Sequence, residues 1–228
     1  IFQEVSSKNI APGIDVTHTY QGFSFGPVNY YTAKIKPDAK IEIVPALAGQ
    51  KRGFGKSTVS QLSVKNKALL GINAGYFNHQ GIPLGMLMQD RELLSSPLYG
   101  RTLLAVLDKG LRIEQSSRSL GVRFPAEQKS FAFHAVNLPR QNHQMVLYTP
   151  RFGYSTGTPA NSDSIEFQVL LDGSIQTIAE ANVSIPEDGF VISAQGSAAR
   201  WLKANVYEGM RALVFSGVWE QWRDARHL

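Results

Sequence analysis

Glycine and proline interrupt this chain so often that only short secondary-structure elements fit between them. The 228 residues include 20 glycines and 11 prolines, and both residue types end regular elements or shape turns. Between these interruptions, short segments with alternating apolar and β-branched residues recur, which is the pattern of half-buried strands. We therefore predict an α+β fold that is mainly antiparallel β-sheet with a few short helices.

Turn chemistry locates two hairpins. Asp108-Lys109-Gly110 separates strands predicted at 102–107 and 111–114, and Asp172-Gly173 separates strands predicted at 165–171 and 175–178. Further strands are predicted at 28–35, 40–45, 86–88, 131–136, 145–148 and 211–216. Short helices are predicted at 58–65, capped by Ser57, and at 197–204, with Trp201 and Leu202 facing the core. The weak linker candidate at 118–129 does not clearly divide the chain, so residues 1–228 are predicted to form a single domain.

Composition excludes several classes of protein and site. Hydrophobic residues make up 43% of the chain, enough for a core, yet no run of 18 apolar residues predicts a membrane span. The absence of cysteine excludes disulfides, thiolate metal sites and a cysteine nucleophile. The five histidines are scattered without the spacing of a zinc site, and no phosphate-binding loop or serine-hydrolase elbow occurs. We therefore predict neither a metal nor a cofactor.

The charge balance is mildly basic. Lys and Arg number 23 against 18 Asp and Glu, which gives a formal net charge of +5. The densest cluster, Lys51-Arg52 with Lys56, is short, and no basic face or aromatic platform for nucleic acid is evident. A mild positive field suits anionic ligands such as phosphodiesters, but the charge alone favours an ordinary solvated surface.

The segment 71–85 is the strongest candidate for a functional site. It follows apolar residues 68–70, which predict a buried strand, and its four glycines permit close approach of backbone to a ligand. Its amides and aromatic rings are Asn73, Asn78, Tyr76 and Phe77. Such groups bind sugars or bases. The alternative is a tight hairpin whose aromatic residues anchor the core.

The same segment resembles the signature of the phosphodiester glycosidase family, in its bacterial branch. The usual form of that signature is I-N-G-G-[FY]-F-D-x-x-G-x-P-x-G. Here Ala74 replaces a glycine and Asn78 replaces the aspartate. Other segments resemble the family in the same order along the chain: 11–14, 26–28, 99–102, 136–140, 147–153 and 185–196.

The resemblance implies a hydrolase that cleaves a sugar-1-phosphodiester at the anomeric carbon, with a phosphorylated glycan or envelope polymer as substrate. Arg101 would hold the phosphate, since a guanidinium fork binds two of its oxygens, and Asn73 would orient the sugar or the attacking water. The implied substrate-binding residues are Gly75, Tyr76, Phe77, Asn78, Gly85, Asn137 and Arg140. Two alternatives remain: a non-catalytic module that binds carbohydrate or wall polymer, and a structural envelope domain.

Three glycine-rich segments that usually follow in this family do not occur here. They read G-G-P-x-L-x-x-x-G, A-R-T-x-x-G and L-D-G-G-G-S, and their absence leads us to expect an incomplete domain. A second chain or a missing C-terminal segment would then cover exposed surfaces, which we place at 211–216 and 219–222. The resemblance also implies export to the periplasm, the cell envelope or the medium.

Overall fold

The structure is a computed structural model that describes residues 3–49, 51–96, 101–116 and 119–228, without the side chains of residues 219 and 220. Its contacts separate two compact units. The first comprises Ile1–Ile43 with Lys67–Leu70, and the second comprises Val44–Asn66 with Gly71–Leu228.

The first unit is an antiparallel meander of three strands. It contains β1 (Gln3–Ala11), β2 (Ile14–Phe23) and β3 (Gly26–Ile35), in the order β1-β2-β3. His18 and Tyr31 are register partners whose rings stack at 4.4 Å, a cross-strand contact that stabilises the β2–β3 pair. The strand predicted at 40–45 is wrong, because those residues are irregular and pair with no strand.

The second unit holds the remaining elements. In chain order these are α1 (Val59–Lys65), β4 (Leu87–Gln89), β5 (Glu92–Ser95), β6 (Thr102–Leu107), β7 (Gly110–Gln115), β8 (Leu120–Phe124), β9 (Lys129–Ala132), β10 (Ala135–Val136), β11 (Met145–Tyr148), β12 (Ser164–Leu170), β13 (Ile175–Ala179), β14 (Gly189–Gln195), α2 (Ser197–Asn205), β15 (Leu213–Ser216), α3 (Gly217–Gln221) and β16 (Ala225–His227). The sheets have the orders β10-β11-β14-β12-β13, β15-β8-β9, β16-β6-β7 and β4-β5.

The fold is therefore mainly antiparallel β, as the sequence predicts, with helices too few and too short for the α+β description. Both predicted hairpins are present as β6–β7 and β12–β13. Helix α1 begins after Thr58 rather than Ser57. The Thr58 hydroxyl accepts from the Gln61 backbone N–H while the Gln61 side chain accepts from the Thr58 N–H. This reciprocal pair satisfies two donors that the helix cannot satisfy itself.

The central strands β11, β12 and β14 of the five-stranded sheet are buried on both faces, whereas the edge strand β13 is largely exposed. On one face, alternate residues of β11, β12 and β14 pack with β8 and α2 in the largest core cluster, which includes Phe124, Phe167 and Leu202. Trp201 of α2 packs against Phe124 with ring centroids 5.5 Å apart. The predicted linker at 118–129 is wrong, since β8 lies in this core and its Val122 and Phe124 are fully buried.

The opposite face of the sheet contains a buried carboxylate. Glu166 of β12 is fully buried and lies opposite Ser193 of β14 in the strand register. Its Oε1 accepts from the Thr158 hydroxyl at 2.7 Å, and its Oε2 accepts from the Thr156 hydroxyl at 2.7 Å and the Val183 N–H at 2.9 Å. Those donors offset the cost of removing the carboxylate from water.

The C-terminal surfaces differ from the prediction. Trp222, expected to be exposed, is only 3% exposed, and its indole N–H donates to Ser116 at 3.2 Å. The side chain of Trp219 lies outside the described part of the chain. Strand β15 lies at the edge of its sheet, and its Ser216 is buried while Leu213, Val214 and Phe215 are half-buried. Residues 211–216, predicted to be an exposed surface, are thus largely covered: Ala212 is buried as well, and Arg211 forms a β-bridge with Ser174. The aromatic stretch after them is also partly internal.

Replacing Glu166 should destabilise the fold far more than replacing an exposed glutamate. Glu166→Ala leaves three buried donors without their acceptor and should lower the free energy of unfolding by about 3 kcal/mol. Glu180→Ala, which removes an exposed carboxylate 3.7 Å from Lys203, should cost less than about 1 kcal/mol. Urea unfolding measures both, and equal losses would contradict a structural role for the carboxylate. Glu166→Gln provides a milder variant if the alanine protein does not fold.

Tyr148 should make stability fall at alkaline pH. Burial raises the pKa of its phenol to about 12, against about 10 in an unfolded chain. The unfolded state therefore ionises first as the pH rises, so stability is intact below pH 10 and is lost between about pH 10 and 12, by about 3 kcal/mol. Urea unfolding should show a shallower decline over this window for Tyr148→Phe, and identical declines would refute the assignment.

Candidate functional site

The segment 71–85 is an exposed irregular loop closed by a tight turn. Residues 68–70 form no strand, so the prediction that a buried strand leads into the loop is wrong. The Asn78 N–H donates to the Ile82 carbonyl at 2.9 Å, and the Leu84 N–H donates to the Tyr76 carbonyl at 2.8 Å. The side-chain oxygen of Asn78 accepts from the Gln80 and Ile82 N–H groups at 2.9 and 3.0 Å. Asn78 therefore fixes the turn, which limits what its amide oxygen offers a ligand.

Two glycines of the loop have different surroundings. Gly81 has a φ of +83°, and an added Cβ would lie 2.2 Å from the carbonyl oxygen of Gly55. Gly75 has no atom within 4 Å of its Cβ position. The first glycine is required by the backbone, whereas the second leaves open space beside the loop.

Arg101 and Tyr76 lie side by side. The Arg101 guanidinium is 5.9 Å from the centroid of the Tyr76 ring, and its Nη1 is 3.5 Å from the Leu84 carbonyl oxygen, a long hydrogen bond. Arg101 forms no ion pair with a carboxylate among the described residues. Tyr76, Phe77 and Asn73 are all exposed. The structure thus places Arg101 beside Tyr76, and no described contact joins Asn73 or Phe77 to this pair. The two cavities detected among the described residues contain no residue of 71–85.

Asn137 lies in the interior. It is fully buried at a φ of +53°, and its amide donates to the Leu94 carbonyl at 3.0 Å and to the Thr149 hydroxyl at 2.9 Å. Its side-chain oxygen accepts from the Thr149 N–H at 2.9 Å. Because both amide protons are used within the protein, this geometry favours a structural role over contact with substrate.

Arg140 is half-buried beside the Glu166 face of the sheet. Its Nη1 donates to the Ala194 carbonyl at 2.8 Å, and its backbone N–H donates to the Tyr148 hydroxyl at 3.0 Å. Burial lowers the pKa of the Arg140 guanidinium, and the charge of Glu166 opposes that shift. The hydrogen bonds described for Arg140 and Asn137 reach no residue of 71–85.

A second group of cations escaped the sequence analysis. An open cavity of about 230 Å³ is lined by three cations, Lys51, Lys65 and Arg151, and by Pro45, Ala46, Leu47, Gly49, Asn66 and Gln89. Arg151 lies in the segment 147–153, where the sequence gave no reason to single it out. A second open cavity, of about 360 Å³, lies beside Arg123 and Lys129. The described residues contain no cluster of three or more potential metal ligands.

Comparison with known proteins identifies the fold. No protein-family model and no curated protein matches this chain. Among solved structures, a hypothetical protein from Synechocystis is 22% identical with a TM-score of 0.75, covering 93% of this chain and 40% of its own. A protein of Burkholderia pseudomallei K96243, provisionally named as exported, is 16% identical with a TM-score of 0.73, covering 94% and 68%.

These neighbours share the fold of this chain, which spans only 40% of the length of the Synechocystis protein. The described helices include none that is long and apolar enough to cross a membrane.

Substituting alanine at Gly81 and at Gly75 should have different effects on the stability of the fold. Gly81→Ala places a side chain in the left-handed region against the Gly55 carbonyl and should cost about 2 kcal/mol of stability. Gly75→Ala meets no neighbour and should change stability by less than about 0.5 kcal/mol. Urea unfolding of the two variants tests this contrast, and an equal effect would contradict the close approach of Gly81 to Gly55.

Proposed function

We propose that this chain carries the substrate-binding loop of a hydrolase that cleaves sugar-1-phosphodiester bonds. The observation that carries the proposal is the pairing of Arg101 with Tyr76, with the guanidinium 5.9 Å from the ring centroid. A guanidinium binds phosphate oxygens in pairs, and an exposed aromatic ring packs on the apolar face of a sugar. The resemblance of 71–85 to the phosphodiester glycosidase signature supports the same chemistry.

The proposed reaction breaks the bond between the anomeric carbon of the sugar and an oxygen of the phosphate. Water adds its oxygen to the anomeric carbon, the bond from that carbon to the phosphate oxygen breaks, and the phosphate leaves as a monoester. The water keeps one proton in the new anomeric hydroxyl and gives the other to the leaving phosphate oxygen or to solvent. Arg101 stabilises the charge that develops on the phosphate, and the Asn73 amide orients the sugar or the water. The segment 71–85 contains no Asp or Glu, so a carboxylate acting as acid or base would come from outside it.

That lack of a carboxylate also favours a second candidate, a module that binds carbohydrate or wall polymer without turnover. Asn78 stands where the family signature has its aspartate, and its side-chain oxygen accepts two backbone N–H groups. Tyr76 and Phe77 remain 76% and 57% exposed, which suits stacking on a sugar. Binding through these rings requires no acid or base.

We further infer that the protein acts outside the cytoplasm, in the periplasm, the envelope or the medium, where sugar–phosphate polymers occur. The name of the Burkholderia neighbour, provisionally an exported protein, supports this. A second chain or a further segment would cover the apolar side of the loop. The exposure of Ile72, at 87%, and of Phe77 supports that partner, because such apolar groups are usually covered when they lie together.

The test is turnover of a chromogenic sugar-1-phosphodiester by the full-length protein in ¹⁸O-labelled water. A glycosidase places the label on the sugar, whereas cleavage of the phosphorus–oxygen bond places it on the phosphate. Arg101→Gln should lower kcat/KM by about 100-fold, because it removes charge stabilisation in the transition state. Arg200→Gln, which removes the same charge from an exposed position on α2, should leave kcat/KM unchanged.

Each result decides between the two candidates. Label on the phosphate, or equal activity of Arg101→Gln and Arg200→Gln, contradicts the glycosidase. Binding of the substrate without turnover, weakened by Tyr76→Ala and retained by Tyr76→Phe, identifies the binding module. Absence of both turnover and binding contradicts both.

A further inference from the structure

The cation-lined cavity of the second unit is a separate site. Lys51, Lys65 and Arg151 contribute three positive charges, and no acidic residue is among the described residues that line it. Arg101 and residues 71–85 are not part of its lining. We infer that this cavity, here called the cation cavity, binds a phosphate-sized oxyanion. The inference does not depend on the function proposed for the 71–85 loop.

Two of the cations are held in place by backbone carbonyls. Lys65, in the last turn of α1, donates to the Gly49 carbonyl at 3.3 Å. An Arg151 Nη2 is 3.5 Å from the Ala48 carbonyl, and the guanidinium lies 5.5 Å from the Phe54 ring centroid. The Gly53 N–H donates to the Arg151 carbonyl at 2.7 Å, which ties the 48–54 loop to the loop after β11. The cavity is therefore preorganised for an anion rather than assembled on binding.

A buried relay positions Arg151. The Thr149 hydroxyl accepts from the Asn137 amide at 2.9 Å and from the Arg151 backbone N–H at 3.3 Å. Asn137 in turn accepts from the Thr149 N–H. Thr149 is 3% exposed and Asn137 is fully buried, so these bonds are shielded from water. Asn137 and Thr149 thus act as positioning residues for the cation cavity.

The local charge balance favours an anion. Glu92 is the acidic residue that faces Arg151, and it also interacts with the Thr149 hydroxyl. Burial raises the pKa of Glu92, while Arg151 and Thr149 lower it. Among the described residues that line the cavity, the cations therefore outnumber the acidic residues. Arg52, close in sequence, instead donates to the Gly153 and Ile185 carbonyls at 3.0 and 3.1 Å.

The volume of the cation cavity indicates the class of ligand that it suits. Pockets for drug-sized molecules measure about 300–1,000 Å³, and this cavity of about 230 Å³ is smaller. That volume is large enough for one phosphate group. The shared chemistry is that of free phosphate, the terminal phosphate of a sugar, and a diester within a polymer. Lysines and an arginine bind all three through charge-assisted hydrogen bonds.

The experiment is a titration of the ¹⁵N-labelled full chain with inorganic phosphate, followed by amide chemical shifts. Shifts should appear at Gly49, Lys51, Lys65 and Arg151 and should weaken with added salt. Lys51→Gln and Lys65→Gln should each weaken binding by about threefold. Lys109→Gln, in the turn between β6 and β7, removes the same charge from an exposed site and should not. Absence of shifts in the wild type, or equal weakening by Lys109→Gln, overturns the inference.

Variants of Thr149 test whether the relay of Asn137 and Thr149 positions Arg151 for phosphate binding. Thr149→Val removes the hydroxyl and should weaken phosphate binding more than Lys51→Gln does, and Thr149→Ser should restore it. If Thr149→Val binds phosphate like the wild type, the relay has no positioning role. If the Thr149→Ser protein is folded but does not regain phosphate binding, loss of the hydroxyl does not explain the weaker binding of Thr149→Val.

Parallel titrations identify the source of the phosphate. A sugar-1-phosphate that binds more tightly than dimethyl phosphate assigns the cation cavity to terminal phosphates, and the reverse order assigns it to diesters. If neither of these ligands binds and inorganic phosphate does not bind either, the proposed site is wrong. Hydrolysis of the sugar-1-phosphodiester is measured separately on Lys51→Gln and Lys65→Gln, so failure of the proposed function is distinguishable from failure of this one.

Discussion

The buried carboxylate of Glu166 constrains the loops that cover one face of the central sheet. A charge without water must be satisfied by fixed donors, and Thr156, Thr158 and Val183 supply them. These donors lie in two loops whose carbonyls, at Gly153 and Ile185, both accept from Arg52. Arg52 belongs to the glycine-rich stretch that also contains Gly55, and Gly55 is the backbone against which Gly81 packs. The loops that satisfy the buried Glu166 are thus connected, through Arg52 and Gly55, to the turn of the 71–85 loop.

The arginines divide by what their guanidinium groups already contact. Arg52 and Arg140 donate to backbone carbonyls and are half-buried, so a ligand would have to displace internal bonds that hold loops to the sheet. Arg101 is exposed, lies over a ring and makes one long hydrogen bond. Recruiting Arg101 costs little, because no buried acceptor is left without a donor. This difference leaves the Arg101 guanidinium more accessible than that of Arg140, the other arginine that the sequence singled out.

Local chemistry was predictable from the sequence and distant partners were not. The β6–β7 and β12–β13 hairpins follow from turns whose residues set their own backbone conformation. Residues 40–45 alternate like a strand, yet alternation needs a partner strand, and the described chain provides none there. The β1 strand is too polar for a hydrophobic pattern and forms by pairing with β2. The role of Asn137 depends on Thr149 and Leu94, which are separated from it by 12 and 43 residues, and no local pattern encodes those contacts.

A glycine in a signature does not by itself mark a ligand. Gly81 is needed because its φ is positive and Gly55 leaves no room for a Cβ, so backbone geometry alone explains it. Gly75 has ordinary room around it and no such constraint. The same motif therefore contains one glycine that the backbone requires and one that it does not, so packing within the described residues explains the first and not the second.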